Sequence, residues 1–369
     1  MNILNFSGYG FKIFGFKAFR KFGYPKLMPQ NVVFSITNFC NSRCKTCSIW
    51  KKYQQHPELI KTELTTSEWL KVWKSMGKIT FITITGGEVF LRKDIDKLLT
   101  GAFNVCKPKI MNIPHNASMP EVFKNKLTKF LINTKGKGSV TINLSLDGIG
   151  TDHDKIRGIK GNWEKLVETV GIIKDLQKGY PNLNLGVHTV VSKWNVKKIP
   201  DIASYVGKHF DPDVYIMEPA EERFELGTIG WKIMPKKGDL IKVFTIKTSG
   251  KNHTPIINIV KNIYIDKYIK GKGLPCYAGY NYCQITANGN VWVCCVIADS
   301  EPMGNLKKVN FDFKKIWFSD KADSLRRKVV KRQFPECKDC YLACAANTSI
   351  PQNILITAKY FVKELFNKR

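Results

Sequence analysis

The 369-residue chain reads as an α/β protein, because strand-like runs and segments of helical period alternate about six times before residue 220. Alternation of this kind calls for parallel strands joined by right-handed crossovers, in either a doubly wound sheet or a barrel. A third observation concerns the C-terminal part, where the rhythm stops and cysteines accumulate after residue 270.

In chain order, the first 25 residues interleave Phe6, Tyr9, Phe11, Phe14, Phe16, Phe19, Phe22 and Tyr24 with Lys12, Lys17, Arg20 and Lys21, and no Asp or Glu occurs before Glu58. The basic residues interrupt any signal-peptide h-region, and no apolar run approaches the roughly 20 residues that span a bilayer. Such a segment can lie in the headgroup plane or pack its aromatic face on the protein. Strands are expected at Phe34–Ile36, Phe81–Ile84, Ile110–Ile113, Thr141–Ser145, Leu185–Val190 and Val214–Met217. Helices are expected at Glu68–Met76 capped by Ser67, Asp94–Phe103, Met119–Leu131, Trp163–Gln177 capped by Asn162, and Val196–His209. Residues 221–272 read as a connector, and Gln284–Val293 as a β-hairpin turning at Asn288-Gly289. Ile354–Arg369 reads as an amphipathic helix.

Hydrophobic content of 43% and aromatic content of 12% belong to a globular chain. Eleven cysteines in no even framework point to a reducing, cytoplasmic setting and to metal or cluster ligation. The net charge of +29 favours anionic partners such as phospholipid, nucleic acid or an acidic substrate.

Three of the cysteines, Cys40, Cys44 and Cys47, sit in one C-x3-C-x2-C loop directly after the first strand. Three thiolates hold three irons of a [4Fe–4S] cube and leave the fourth open for a small molecule, whereas a cluster that only carries electrons is held by four. Zinc usually takes four ligands from two cysteine pairs, which fits one three-thiol loop less well. The second strand ends in Thr85-Gly86-Gly87-Glu88, where glycines permit a sharp turn and close approach to a ligand. Polar residues also leave the third and fourth strands, as His115-Asn116 and as Ser145-Leu146-Asp147-Gly148 followed by His153 and Arg157-Gly158. His188 on the fifth strand is either a core histidine or aimed inward. Cys276, Gly289 and Cys294 form C-x12-G-x4-C, followed by Cys337-x2-Cys340 and Cys344. A four-cysteine set of this kind suits an Fe–S cluster or zinc.

Together these motifs resemble the radical S-adenosylmethionine (radical SAM) enzymes with a SPASM- or twitch-type auxiliary-cluster domain. The resemblance implies a partial (β/α)6, TIM-like barrel over residues 31–220 and a small cysteine-rich domain over 273–345, flanked by an N-terminal extension (1–30) and a C-terminal helix (346–369). It implies that Cys40, Cys44 and Cys47 hold a [4Fe–4S] cluster whose open iron chelates SAM. Gly86, Gly87 and Glu88 would contact the methionine ammonium, and Ser145 and Arg157 the ribose and carboxylate, with Asn116 a further polar contact. Asp147 is left between a turn and a substrate-facing role, and Trp50 is a candidate for the adenine edge. Val89, Thr46 and the Pro114-His115-Asn116-Ala117 loop depart from the family's common Pro, aromatic and Thr-Asn-Gly.

Cys276, Cys294, Cys337 and Cys340 would hold one auxiliary [4Fe–4S] cluster, with Cys344 as a replacement or spare ligand and Cys295, Cys283 and Cys106 as spectators. The implied activity is reductive cleavage of SAM to a 5′-deoxyadenosyl radical that abstracts hydrogen from a peptide, sugar or lipid precursor. A reductant such as flavodoxin or ferredoxin would serve it, and the N-terminus would offer a peripheral membrane contact. Nucleic acid is not expected as a partner under this reading. The competing reading is a non-catalytic zinc protein that binds nucleic acid through its positive charge.

Overall fold

The computed structural model describes residues 7–134, 136–246, 255–271, 273–297, 301–337 and 340–366. Nine strands form one sheet: β1 Asn31–Thr37, β2 Phe81–Gly86, β3 Ile110–His115, β4 Ser139–Ser145, β5 Leu183–Val191, β6 Val214–Pro219, β7 Tyr282–Ile285, β8 Asn290–Trp292 and β9 Gly304–Asn305. Their order is β6-β5-β4-β3-β2-β1-β7-β8-β9, and β1 to β6 pair in parallel, each with its neighbour in sequence. A doubly wound sheet reverses its strand order at one point. Without a reversal, crossovers of one hand lay every helix on the same face, and the sheet curls around the other. The architecture is therefore the open, partial barrel.

The core follows from patterning. Strand β1 is covered on both faces, and Val32, Val33, Phe34 and Ile36 are all buried. The helix Thr66–Met76 buries Trp69, Val72, Trp73 and Met76 at helical spacing. Phe34 meets Trp69 and Trp73 edge-on at 5.7 and 6.0 Å.

Two expected caps are corrected. Thr65, not Ser67, caps the first of these helices, in a reciprocal capping box with Glu68. Asn162 lies inside the first turn of the helix Asn162–Gly179, after Gly161 in a left-handed conformation. Its side chain is buried and donates to the Asn116 carbonyl at 3.0 Å, so tertiary structure claims it before the helix end can. The expected helix Val196–His209 is broken into a short turn Val196–Lys198, a helix Ile199–Tyr205 and a wide final turn Val206–Phe210.

The hairpin forms as expected, with Gly289 at φ +86°. Its first strand also pairs in parallel with β1, from Asn31↔Tyr282 to Phe34↔Ile285. The C-terminal cysteine segment thus continues the barrel's own sheet. The N-terminal helix Ser7–Phe22 packs Phe16 and Phe19 against Tyr277 and Tyr280, and Arg20 Nε donates to the Cys276 carbonyl at 2.9 Å. Phe14, Phe22 and Tyr24 stay exposed, as do Leu355, Phe361 and Val362 on the C-terminal helix Ile354–Phe366. Among the described residues no helix is long and apolar enough to cross a membrane.

Candidate active site

The cysteine loop starts where β1 ends, clamped on both flanks by backbone hydrogen bonds. On one side the Gly87 amide donates to the Thr37 carbonyl at 2.7 Å and the Glu88 amide to the Phe39 carbonyl at 2.8 Å. A Cβ at Gly86 would stand 2.0 Å from the Thr37 oxygen, and one at Gly87 2.2 Å from the Phe39 oxygen, so only glycines admit this contact. On the other side the Arg43 and Lys45 amides donate to the Arg157 and Ile156 carbonyls at 3.1 and 2.9 Å. Motifs far apart in sequence therefore fix one loop.

Cys40, Cys44 and Cys47 line a cavity of about 860 Å³, its open mouth included. Gly86, Gly87, Glu88, Asn116, Ser145 and Arg157 line the same cavity. Burial pushes the Cys40 thiol up to about 11, Cys47 up to about 12, and Cys44 upward as well. Neutral buried thiols would lose their protons to solvent when a metal or cluster binds there. Arg157 favours that release, since its charge works against the rise at all three.

The structure refines several of the expected roles. Burial alone would raise the Glu88 carboxyl, but His115 and the Asn116 and Phe90 amides outweigh it and hold the group below its ordinary range. His115 Nδ1 stands 2.9 Å from one oxygen, which also accepts from the Phe90 amide, and the Asn116 amide donates to the other at 2.8 Å. Glu88 thus braces the loop after β3, and the adjoining glycines keep their backbone on the cavity. The Asn116 side chain donates to Asn41 Oδ1 at 2.9 Å and Ser42 Oγ at 2.8 Å, steadying the cysteine loop.

Asp147 is fully buried and does not line the cavity; it pairs with Arg157 Nη1 at 3.2 Å and accepts from the Val190 amide at 3.0 Å. Its role is to aim Arg157, whose Nε is buried without a hydrogen-bond partner. Trp50 does not line the cavity and donates to the Cys47 carbonyl at 3.2 Å, whereas Thr46 does line it. His188 lies half-buried with Nε2 3.1 Å from Glu218 Oε1; burial would lower its pKa, and Glu218 raises it instead.

Cys276, Cys294, Cys337 and Cys340 line a second cavity, of about 610 Å³, beside Tyr268 and Arg332. Burial pushes Cys337 up to about 11 and raises Cys276 and Cys340. Cys344 belongs to the helix Ala343–Gln352, but its side chain lies outside the described residues. Cys106 and Cys283 are core residues. Cys295 is buried with its sulfur 3.6 Å from Arg223 Nη1 and 3.8 Å from the Tyr282 hydroxyl. Among the described residues no three His, Cys, Asp or Glu side chains converge as a single metal ion requires. Each cysteine set lines a cavity, and a cluster is held by such cysteine thiolates.

The sequence matches the profile of the radical SAM superfamily over residues 34–206 and that of an iron–sulfur cluster-binding domain, SPASM, over residues 276–341. The chain carries a radical SAM superfamily domain followed by a SPASM domain. These domains imply a [4Fe–4S] cluster with SAM in the first and an auxiliary Fe–S cluster in the SPASM domain. The zinc reading is set aside on these matches. The sporulation killing factor maturation protein SkfB of Bacillus subtilis is 27% identical over 47% of this chain, and the aligned part spans 39% of SkfB. A GTP 3′,8-cyclase of Clostridium botulinum is 28% identical over 74% of this chain and 82% of its own length. In fold, the radical SAM chain resembles Streptococcus suis SuiB bound to its precursor peptide SuiA, with TM-score 0.57 and 14% identity over 94% of this chain and 81% of that one. It resembles anSMEcpe with bound AdoMet at the same TM-score and identity, over 92% and 94%.

Three charged cavity-lining residues of this radical SAM protein escaped sequence reasoning: Glu218, Glu221 and Arg223. Their signal was the end of β6 and the acid-rich stretch after it, the place where a sixth strand would deliver site residues.

Proposed function

We propose that this chain is a peptide-modifying radical SAM enzyme of the cytoplasm, served by a flavodoxin- or ferredoxin-type reductant. The observation that carries the reading is the first cavity, which unites the three-cysteine loop with Gly86, Gly87, Asn116, Ser145 and Arg157. When bound, the cluster and SAM supply a 5′-deoxyadenosyl radical that removes a hydrogen atom from the substrate. In this reading Cys40, Cys44 and Cys47 hold the first cluster, and Cys276, Cys294, Cys337 and Cys340 hold an auxiliary [4Fe–4S] cluster. The backbone of Gly86 and Gly87 receives the methionine end of SAM. The unpartnered Arg157 Nε answers the SAM carboxylate, held in place by Asp147. Ser145, at the end of β4, donates to the ribose.

A peptide is favoured over a sugar or lipid precursor by the likeness to SkfB, a maturation protein by name. The decisive assay is 5′-deoxyadenosine formation by anaerobically reconstituted, reduced protein beside a variant with Cys40, Cys44 and Cys47 changed to Ala. Product in the wild type alone is expected. Equal background in both, at full iron content, would end the reading.

A peripheral membrane contact is part of the proposal. It is supported by the exposed Phe14 and Phe22 beside Lys21 on the N-terminal helix, which Phe16 and Phe19 anchor to the protein, and by the exposed Tyr24 just after that helix. Co-sedimentation with phosphatidylglycerol vesicles should fall when these three aromatics become Ser. Binding equal to that on phosphatidylcholine vesicles, or unchanged in the variant, would remove this part alone.

A further inference from the structure

The end of the first cavity built by β6 and the loop after it is charged in a way that SAM binding does not use. Glu221 lines it with only 9% of its side chain exposed. One carboxylate oxygen, Oε2, accepts from Arg223 Nε at 3.0 Å and lies 2.8 Å from Arg223 Nη2. The other, Oε1, is buried without a partner in hydrogen-bonding geometry, while the Tyr341 amide lies close enough to this carboxyl to favour its charged form. A buried carboxylate oxygen left unpaired is costly, and such groups in native proteins call for a ligand or another role.

The surrounding charge is acidic. Glu218 lines the same cavity, close enough to raise the Glu221 carboxyl further after burial has done so. Arg223 is shared among Glu221, Glu218 and Glu225, and His188 is paired to Glu218. The cations here are thus already engaged by carboxylates, and Oε1 remains for an added cation. The location also matters. Glu221 is near enough to Cys340 to raise that thiol, and Arg223 touches the Cys295 sulfur. Glu221 therefore stands between the SAM cavity and the auxiliary-cluster cavity, where a substrate would sit.

We propose that Glu221, with Glu218 beside it, is a cation-recognition site that receives an ammonium or guanidinium group of the substrate on its free Oε1. The inference rests on the reading that this cavity binds SAM and substrate together, and it narrows the substrate to a cationic one: a peptide presenting Lys, Arg or its free amino terminus. A nucleoside triphosphate would set its phosphates against two carboxylates and is disfavoured at this end.

The test is ligand-observed saturation-transfer NMR on unreduced holoenzyme with SAM, using n-butylammonium, n-butylguanidinium, 1-butanol and butyrate as probes. The two cations should bind saturably and at least about tenfold more tightly than the alcohol or the acid, as a charge-assisted contact to a buried carboxylate requires. Glu221→Gln should bring the cations to the level of the alcohol. If that variant does not fold, Glu218→Gln must weaken cation binding in the same direction, and the ranking of probes on the wild type still decides. Equal binding of alcohol and cation, no response to either substitution, or displacement of the cation by saturating SAM would overturn the proposal. The binding measurement needs no reduction, so the same preparation, once reduced with dithionite and assayed for 5′-deoxyadenosine, separates the two ideas. Cation binding without that product would sink the enzyme reading alone, and the reverse would sink the cation site alone.

Discussion

Cys40, Cys44 and Cys47 share one loop held by backbone bonds to Gly87, Glu88, Ile156 and Arg157, whereas Cys276, Cys294, Cys337 and Cys340 arrive from separate segments. The first set is placed by local spacing and needs only its two flanking motifs. The second is placed by tertiary structure: β7 pairs with β1, Cys294 follows β8, and the N-terminal helix holds the Cys276 carbonyl through Arg20. A local site can be lost by one small backbone displacement. A distributed site should depend on the packing of the whole C-terminal part and tolerate local changes better.

The largest expected effect separates the two chemically. Changing Cys337 and Cys340 to Ala should remove one cluster, roughly halving iron if both sites hold [4Fe–4S] cubes. It should leave 5′-deoxyadenosine formation from SAM in place. Iron content and product, measured on one preparation, check this, and loss of both together would show that the sites do not assemble independently.

Two glycines give the next contrast. At Gly87 an added methyl would meet the Phe39 carbonyl oxygen at 2.2 Å, so the cysteine loop must move. Displacements near 1 Å at a reacting centre cost about 10²-fold in rate, and Gly87→Ala should lower 5′-deoxyadenosine formation by at least that order. At Gly289 the nearest atoms stand 3.5 Å away and only φ +86° is unfavourable. Gly289→Ala should therefore cost about 1 kcal/mol of stability and little activity. Equal losses in both variants would erase the distinction between a local and a distributed site.

This asymmetry also explains what was legible in the sequence. Parallel strands, the cysteine loop and the hairpin are written in short-range periodicity and spacing, and the structure has them close to where those patterns put them. Pairing of β7 with β1 joins Asn31 to Tyr282 and leaves no short-range trace. The partners of Glu88, Asn162 and Asp147 come from other elements, so the sequence could not show that Glu88, while lining the cavity, also braces the loop after β3, or that Asp147 pairs with Arg157. Glu221 was hidden for the same reason: which of several acids keeps an unpaired oxygen in a cavity is decided by packing.

The last predicted effect is a pH dependence of stability and belongs to the first site. His153 is fully buried beneath Arg157, with Nδ1 accepting from the Asp147 amide at 3.3 Å and Nε2 3.3 Å from Asn162 Oδ1. Burial first, and then the Arg157 charge, push its pKa down to about 4 from the ordinary 6.5. Between those values the unfolded chain binds a proton that the folded chain refuses, so stability rises with pH across this window. The contribution is complete above about 6.5 and disappears as pH falls toward about 4, amounting to about 3 kcal/mol. Denaturant unfolding from pH 7 to pH 4 should show this slope, and His153→Gln, which keeps polar atoms without the titration, should flatten it. An unchanged slope in the variant would mean that His153 accepts its proton inside the fold, and with it that Arg157 is held less rigidly against the cysteine loop than the geometry implies.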